Sequence, residues 1–277
     1  MDLLLTTFQA GGNVPPQLGL ARRLVAAGHR VRVLSEPVIE AEARAVGCAF
    51  SAWPTAPPLA PLNDRYDPRS LADWTWRGRL MMVRRIGPEI FFGPAGRFAR
   101  DVVATVERYP VDGVLADVTV LGALVGAEVC GLPTVGMLSS IYLRPTPGHP
   151  SLGSGAVPPV GPLGRVRDAV APRVLARLVD LGLPQLNAVR GELGLDRIRH
   201  VLDLWDRCAR VLVMTSPTFD PPPARLPGNV RYVGPIVDDP PWAAAWEPPW
   251  PITERPFVLV AMSSRPISAT SGCCAAS

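Results

Sequence analysis

The sequence contains no lysine, so all 28 of its basic residues are arginines. With 33 prolines and 25 glycines, this composition is typical of codon bias rather than of selection for a polyanionic partner. The arginines cluster only in pairs, as at Arg22 and Arg23, and no aromatic residues alternate with them. Nucleic-acid-binding faces need a clustered basic patch, so we expect no nucleic-acid partner despite the net charge of +4.

Cysteines and long apolar runs are also scarce. The five cysteines have neither zinc-site nor disulfide-framework spacing, which favours a reducing, cytoplasmic location. No apolar run approaches the ~18 residues that span a bilayer, and the first apolar segment lacks the basic residues of a signal peptide. The turn "GGNVPP" lacks the order G-x-G-x-x-G, which argues against a dinucleotide-dependent oxidoreductase.

The first 34 residues have the pattern of a β-α-β unit. An apolar segment, residues 3–6, is followed by a glycine turn and then by apolar residues at helical spacing. Pro16 in the first turn and Gly28 just past the end mark the start and stop of a helix. A second apolar segment at residues 31–34 completes the unit, and such crossovers join parallel strands.

The same alternation continues along the chain. Helices are predicted at residues 39–46, 98–108 and 120–129, and strands in "VDGVLAD", "PTVGML" and "ARVLVMT". Two insertions, residues 53–94 and 144–173, interrupt the pattern, and we expect them to be mobile loops and short helices that cover a pocket or merely cap the sheet.

This alternation predicts an α/β fold with a Rossmann-like, doubly wound parallel sheet. Ligands of such sheets bind at the carboxyl ends of the strands. The segments expected along that rim are residues 11–16, 117–119, 139–142 and 216–219.

Residues 238–256 are rich in proline and tryptophan and are predicted to be a linker that follows a first domain of residues 1–237. The apolar segment 257–262 would then begin a second domain, yet the sequence closes with "RPISATSGCCAAS". A lone strand with such a tail cannot bury both faces. We therefore expect residues 257–277 to be the unpaired start of a missing domain, whose exposed strand permits self-association.

Three segments, "GGNVPPQLGLARRLVAAGHRVRVL", "VDGVLADVTVLGALVGAEVCGLPTV" and "TSPTFDPPPARLPGNVRYVGPIVDDP", together resemble the amino-terminal half of GT-B nucleotide-sugar-dependent glycosyltransferases, above all the macrolide and antibiotic glycosyltransferases. The resemblance extends from residue 1 to about residue 264. It implies an amino-terminal domain that binds the acceptor and a carboxyl-terminal domain that binds the activated sugar. The family's donor-site segment, His-Gly-Gly or His-Cys-Gly, has no counterpart here, so the nucleotide sugar would be a co-substrate without a site on this chain, and no cofactor is implied.

In that family the histidine of "Gly-His-Val-Asn-Pro" takes the acceptor's proton, and an aspartate at the end of a later strand orients it. The resemblance places Asn13 at the histidine position and Asp117 at the aspartate position. An amide cannot take up a proton. Either catalysis is lost, or Asp117 acts as base directly or through water, or the acceptor is already acidic, as a carboxylate or phenol is. Each residue could instead have a purely structural role: Asn13 as a helix cap and Asp117 as a turn residue.

Several side chains at the rim and in the insertions would suit an apolar acceptor. Aromatic clusters, however, often pack in the core, and a histidine in a loop is often solvated. The candidate acceptor-binding residues are Gly12, Trp53, Trp74, Met82, Phe91, Ser140, Tyr142 and His149. His29, just past the first helix, is expected to be structural, and His200 is expected to lie at the surface.

A complete protein of this kind would transfer a hexose from a nucleoside diphosphate to a small, apolar, hydroxylated acceptor with inversion. We expect the 277-residue chain to be inactive by itself. The alternative is a non-catalytic protein, derived from such an enzyme, that binds a small molecule or a partner. Neither interpretation requires a membrane span.

Overall fold

The structure is a computed structural model that describes residues 1–9, 12–58, 88–146, 161–223 and 225–237. Three of the candidate residues, Trp74, Met82 and His149, lie outside the described residues. The same holds for the linker and for the strand predicted at residues 257–262. These predictions remain predictions.

The described residues contain one sheet of seven strands, all pairing in parallel. Across the sheet their order is β3-β2-β1-β4-β5-β6-β7. This confirms the predicted Rossmann-like, doubly wound α/β fold, and its switch point lies between β1 and β4. The strands are β1 (Asp2–Thr6), β2 (Arg30–Ser35), β3 (Ala49–Ala52), β4 (Gly113–Asp117), β5 (Thr134–Leu138), β6 (Arg210–Val213) and β7 (Val230–Tyr232).

The α-helices of the described residues are α1 (Val14–Ala26), α2 (Glu40–Ala45), α3 (Ala95–Arg108), α4 (Leu121–Val129), α5 (Gly161–Val179), α6 (Leu183–Glu192) and α7 (Asp203–Asp206). A π-helical turn spans Pro88–Phe92, and 3-10 turns span Pro37–Ile39 and Asp180–Gly182. Helix α1 ends as predicted, because Gly28 follows it with a φ of 85°, a conformation that favours glycine. None of the described helices combines the length and the apolar character that a membrane crossing requires.

The second insertion differs from its prediction as loops and short helices. Its carboxyl-terminal part belongs to α5, a helix of 19 residues. Pro172 lies inside this helix and supplies no backbone donor there. Arginine, alanine and leucine make up much of the sequence of α5, and their high helix propensity outweighs the proline.

Helices cover both faces of the sheet. On one face, α1 and α2 pack in a cluster that contains Leu5 and Val33. On the other face, α3, α4 and α6 pack in a cluster that contains Leu4 and Leu34. Neighbouring residues of one strand therefore enter opposite layers, as the period of two requires. This burial on both sides explains why the strands read as continuous apolar runs.

Helices α3 and α4 pack closely because α4 presents glycines to α3. A Cβ atom at Gly122 would lie 2.1 Å from the carbonyl oxygen of Ala95, and one at Gly126 would lie 2.6 Å from that of Ala99. No side chain fits at such distances. The close contact fixes α4 against the core directly after the carboxyl end of β4, where Asp117 lies.

Candidate functional site

The carboxyl ends of β1, β4 and β5 bring three polar side chains together. Asn13 precedes α1, Asp117 is the last residue of β4, and Ser139 follows β5. Because these strands are neighbours in the sheet, Asn13 and Asp117 meet although they are 104 positions apart in sequence. The predicted rim therefore forms at these three segments.

Asp117 accepts hydrogen bonds at both carboxylate oxygens and is only 2% exposed. Its Oδ2 accepts from Asn13 Nδ2 at 2.9 Å and from Gln17 Nε2 at 2.6 Å. Its Oδ1 accepts from the Thr119 amide at 2.9 Å and from the Thr119 hydroxyl at 2.5 Å. A carboxylate has about four lone-pair sites, so protein donors occupy all of them. Asp117 is therefore poorly placed to take a proton directly from a substrate.

The contacts with Thr119 also show that Asp117 is a turn residue, as the structural interpretation of its sequence position predicted. A carboxylate that binds the backbone amide two residues later closes a turn of the type that aspartate favours. Asp117 therefore holds the β4 to α4 connection and, through its other oxygen, fixes Asn13. The structural and the functional interpretation of this residue are compatible.

Asn13 occupies the N-cap position of α1, but its side chain makes no capping hydrogen bond. The cap interpretation is therefore wrong for this side chain, which contacts Asp117 instead. Because a carboxylate only accepts hydrogen bonds, the amide nitrogen of Asn13 must face it. The Asn13 carbonyl oxygen, Oδ1, then faces away and has no hydrogen-bond partner among the described residues. The half-buried side chain is an oriented amide.

Gln17 was not recognised in the sequence, yet it completes the network. It is fully buried on α1, one helical turn after Asn13, and its Nε2 donates to Asp117 and to Ser139 Oγ at 3.0 Å. The Ser139 hydroxyl lies 3.4 Å from the Asn13 carbonyl oxygen of the main chain. A glutamine among the buried apolar positions of α1 was the sequence signal, since residues four apart share a helix face.

The structure places two aromatic candidates in the core. The Trp53 ring packs edge-on against Phe98, with 4.8 Å between ring centroids, and its indole N–H donates to the carbonyl oxygen of Thr7. Tyr142 is 3% exposed, and burial raises the pKa of its hydroxyl. These two residues lie in the packed interior, so an acceptor would reach them only if the surrounding residues move.

The other described candidates remain accessible. Gly12 and Ser140 are exposed, and Phe91 is half-buried in the π-helical turn. Their acceptor-binding role stays a prediction. His200 lies at the surface, as expected, with a side chain that is 65% exposed.

A second polar group joins the ends of β5 and β7. The Asp220 carboxylate accepts hydrogen bonds from the Tyr142 backbone amide at 2.7 Å and from the Tyr232 hydroxyl at 3.0 Å. Burial and then the contact with Asp220 raise the pKa of Tyr232. The Tyr142 hydroxyl is buried without a hydrogen-bond partner among the described residues. This group fixes the loop that follows β5.

Glu36, directly after β2, is another buried carboxylate that sequence reasoning missed. It is 5% exposed, and its Oε2 accepts from the Gln9 amide at 2.9 Å and the Ser35 hydroxyl at 3.2 Å. Its Oε1 has no partner among the described residues. Glu36 anchors the loop after β1, two strands away from Asp117. Among the described residues, no group of His, Cys, Asp and Glu side chains could hold a metal ion.

Comparison with known proteins gives the same fold. No protein-family model matches the chain. In sequence, the chain is 29% identical over 250 residues to 4'-demethylrebeccamycin synthase of Lentzea aerocolonigenes, which covers 86% of this chain and 57% of that protein. In structure, it is similar to the glycosyltransferase of kitacinnamycin, with a TM-score of 0.61, 19% identity and coverage of 90% of this chain and 55% of the other.

The calicheamicin glycosyltransferase CalG4 is similar to the same degree, with a TM-score of 0.60 and 19% identity over 90% of this chain and 55% of the other. The chain thus spans little more than half the length of the relatives that it matches.

Proposed function

We infer that this chain forms the acceptor-binding half of a glycosyltransferase. The chain is related to the glycosyltransferases of natural-product biosynthesis and has the fold of their amino-terminal GT-B domain. Residues 1–237 would be the acceptor domain, followed by a linker at residues 238–256. Together with a donor domain, this half would present a small, apolar, hydroxylated molecule to a nucleoside diphosphate hexose. Transfer would invert the anomeric centre.

The observation that supports this proposal best is the contact between Asn13 and Asp117 at the switch point of the sheet. It is the position at which the resemblance to GT-B enzymes expects a histidine and its orienting aspartate. Asp117, at the position that the resemblance gives to the orienting aspartate, is buried, and Asn13 stands at the position that it gives to the base. The site is therefore suited to orient an acceptor and not to deprotonate it.

This contact also favours a specific alternative, a binding protein that performs no transfer. Asp117 already accepts four hydrogen bonds, so it does not replace the missing base directly. Among the three interpretations of Asn13, loss of catalysis in this chain is then the one best supported. A nucleotide-sugar transfer by the pure chain would contradict it.

An acceptor-binding half of an enzyme and a binding protein without transfer differ in their expected response to a histidine at position 13. We propose to join residues 1–237 to the carboxyl-terminal half of CalG4, the part that this chain does not match, and to assay glycosylation of a panel of polycyclic phenols. If the site retains acceptor geometry, Asn13→His should raise the transfer rate by about 10²–10⁴-fold, the usual contribution of a general base. Asp117→Asn in the same background should remove most of that gain.

A folded chimera that transfers slowly with either asparagine or histidine at position 13 would contradict the placement of the acceptor at this rim. Equal rates with and without histidine, both high, would identify a base elsewhere. Glu192→Gln is the control that should leave the rate unchanged, because this exposed side chain on α6 pairs with Arg100 and not with the polar network of the rim.

A further inference from the structure

Among the described residues, the partners of Asp117, the carboxylate behind Asn13, carry no positive charge. All four donors to Asp117 are neutral: two side-chain amides, one backbone amide and one hydroxyl. No arginine or histidine contacts this carboxylate within the described part of the chain. The Asp117 carboxylate therefore lies directly behind Asn13, with no cationic side chain among its described partners.

The contact with Asp117 determines which atom of the Asn13 amide a ligand would meet. Its nitrogen is held by Asp117 at 2.9 Å, so the amide cannot rotate without placing two acceptor oxygens against each other. The carbonyl oxygen consequently faces away from Asp117, and the acceptor proposed above would lie on this side. A carbonyl oxygen binds O–H and N–H groups and repels the lone pairs of an anion.

A helix N-terminus would normally favour an anion at this place, through its free backbone amides and dipole. In α1, however, Pro15 and Pro16 follow Val14 at the start of the helix. Proline has no N–H group, so two of the first three amide donors are missing. The start of α1 therefore offers an anion fewer backbone donors than most helices do.

From these three observations we propose that Asn13 selects acceptors by their hydrogen-bonding state: the site binds a neutral O–H or N–H group and excludes ionised phenolates and carboxylates. This inference rests on the acceptor-binding function proposed above and names its substrate class. It disfavours the interpretation of Asn13 in which the acceptor arrives as an acidic, already ionised nucleophile. A ligand anion at roughly 7 Å from Asp117, across the amide, would bind about tenfold or more weakly for electrostatic reasons alone.

Three naphthalene probes of similar size test this selection: 2-naphthol with a neutral O–H donor, 2-methoxynaphthalene with no donor, and 2-naphthoate with an anion. Binding is measured on the ¹⁵N-labelled 277-residue chain from backbone and side-chain amide signals. We expect 2-naphthol to bind about five- to tenfold more tightly than its methyl ether, the usual net effect of one hydrogen bond. The 2-naphthoate anion should bind most weakly, and the Asn13 side-chain signal should respond to 2-naphthol.

Asn13→Leu, which has a similar shape and no carbonyl group, should reduce the preference for 2-naphthol over the ether to less than about twofold. Glu192→Gln should retain the preference in full. Equal binding of naphthol and ether by the unaltered chain, or tightest binding of 2-naphthoate, would overturn the selection by Asn13 and leave acceptor binding intact. If none of the probes shifts signals at the rim, acceptor binding itself fails, and the selection fails with it.

Discussion

Asp117→Asn is expected to destabilise the fold, because the carboxylate is a structural acceptor for four donors. If the new carboxamide turns its oxygen toward Asn13 and Gln17, its NH₂ group faces the backbone amide of Thr119. The Thr119 hydroxyl can rotate and accept a hydrogen bond, but its backbone N–H is left without an acceptor.

A backbone N–H left without an acceptor costs about 1–3 kcal/mol, and the Thr119 position is half-buried. Loss of the negative charge weakens the remaining bonds from Asn13 and Gln17 by about 1 kcal/mol in total. The free energy of unfolding should therefore fall by roughly 2–4 kcal/mol. For a domain of this size, this corresponds to a decrease in Tm of roughly 5–15 °C.

Thermal and urea unfolding, followed by far-UV circular dichroism, measure this effect. Glu192→Gln is the matched control, because it also replaces a carboxylate by an amide but removes only an exposed ion pair with Arg100. Such pairs contribute about 0–1 kcal/mol. If Asp117→Asn is as stable as the control, the carboxylate is not committed to the fold, and Asp117 returns as a candidate base.

Two further outcomes follow from packing and from charge. Gly122→Ala should lower the free energy of unfolding by roughly 3 kcal/mol or more, because the added Cβ would lie 2.1 Å from the Ala95 carbonyl oxygen. In the control Gly191→Ala on α6, the added Cβ meets nothing within 4 Å, so this variant should be neutral or slightly stabilised. Similar urea midpoints for the two variants would contradict the close packing of α3 and α4. The hydrogen bond that His200 Nδ1 donates to Asp180, and then the charge of Asp180, raise the pKa of His200 above 6.5. This contact therefore stabilises the fold fully below about pH 6.5 and is lost as the pH rises through the higher folded-state pKa. The Tm difference between wild type and His200→Asn should therefore shrink as the pH rises from about 6 to about 9, and a difference independent of pH would refute the ion pair.

Much of the sheet could be predicted because its strands are apolar on both faces and its helices end at glycines. Gly28, Gly47 and Gly131 all have positive φ in the structure, and each follows a helix that the sequence pattern predicts. Edge strands carry weaker signals. The strands β3 and β7, of four and three residues, were missed. Strand β3 has no buried residue and no alternation of burial, and β7 is too short to have a period.

The site could be predicted only in part. The placement of Asn13 and Asp117 followed from the motif and from the rule that carboxyl ends of parallel strands share a rim. Gln17 could not be assigned, because a buried glutamine on a helix has meaning only once its neighbour on β4 is known. Trp53 and Tyr142 were predicted as pocket residues, and composition could not reveal that both pack inside the core.

The most direct test of acceptor binding without donor binding is calorimetric titration of the purified chain with UDP-glucose and dTDP-glucose. We expect no saturable heat for either compound, because the proposed function assigns the chain an acceptor site and places the nucleotide sugar on another domain. Saturable micromolar binding of either nucleotide sugar would contradict this proposal. It would reveal a donor site on this chain and make Asn13 part of a complete catalytic centre.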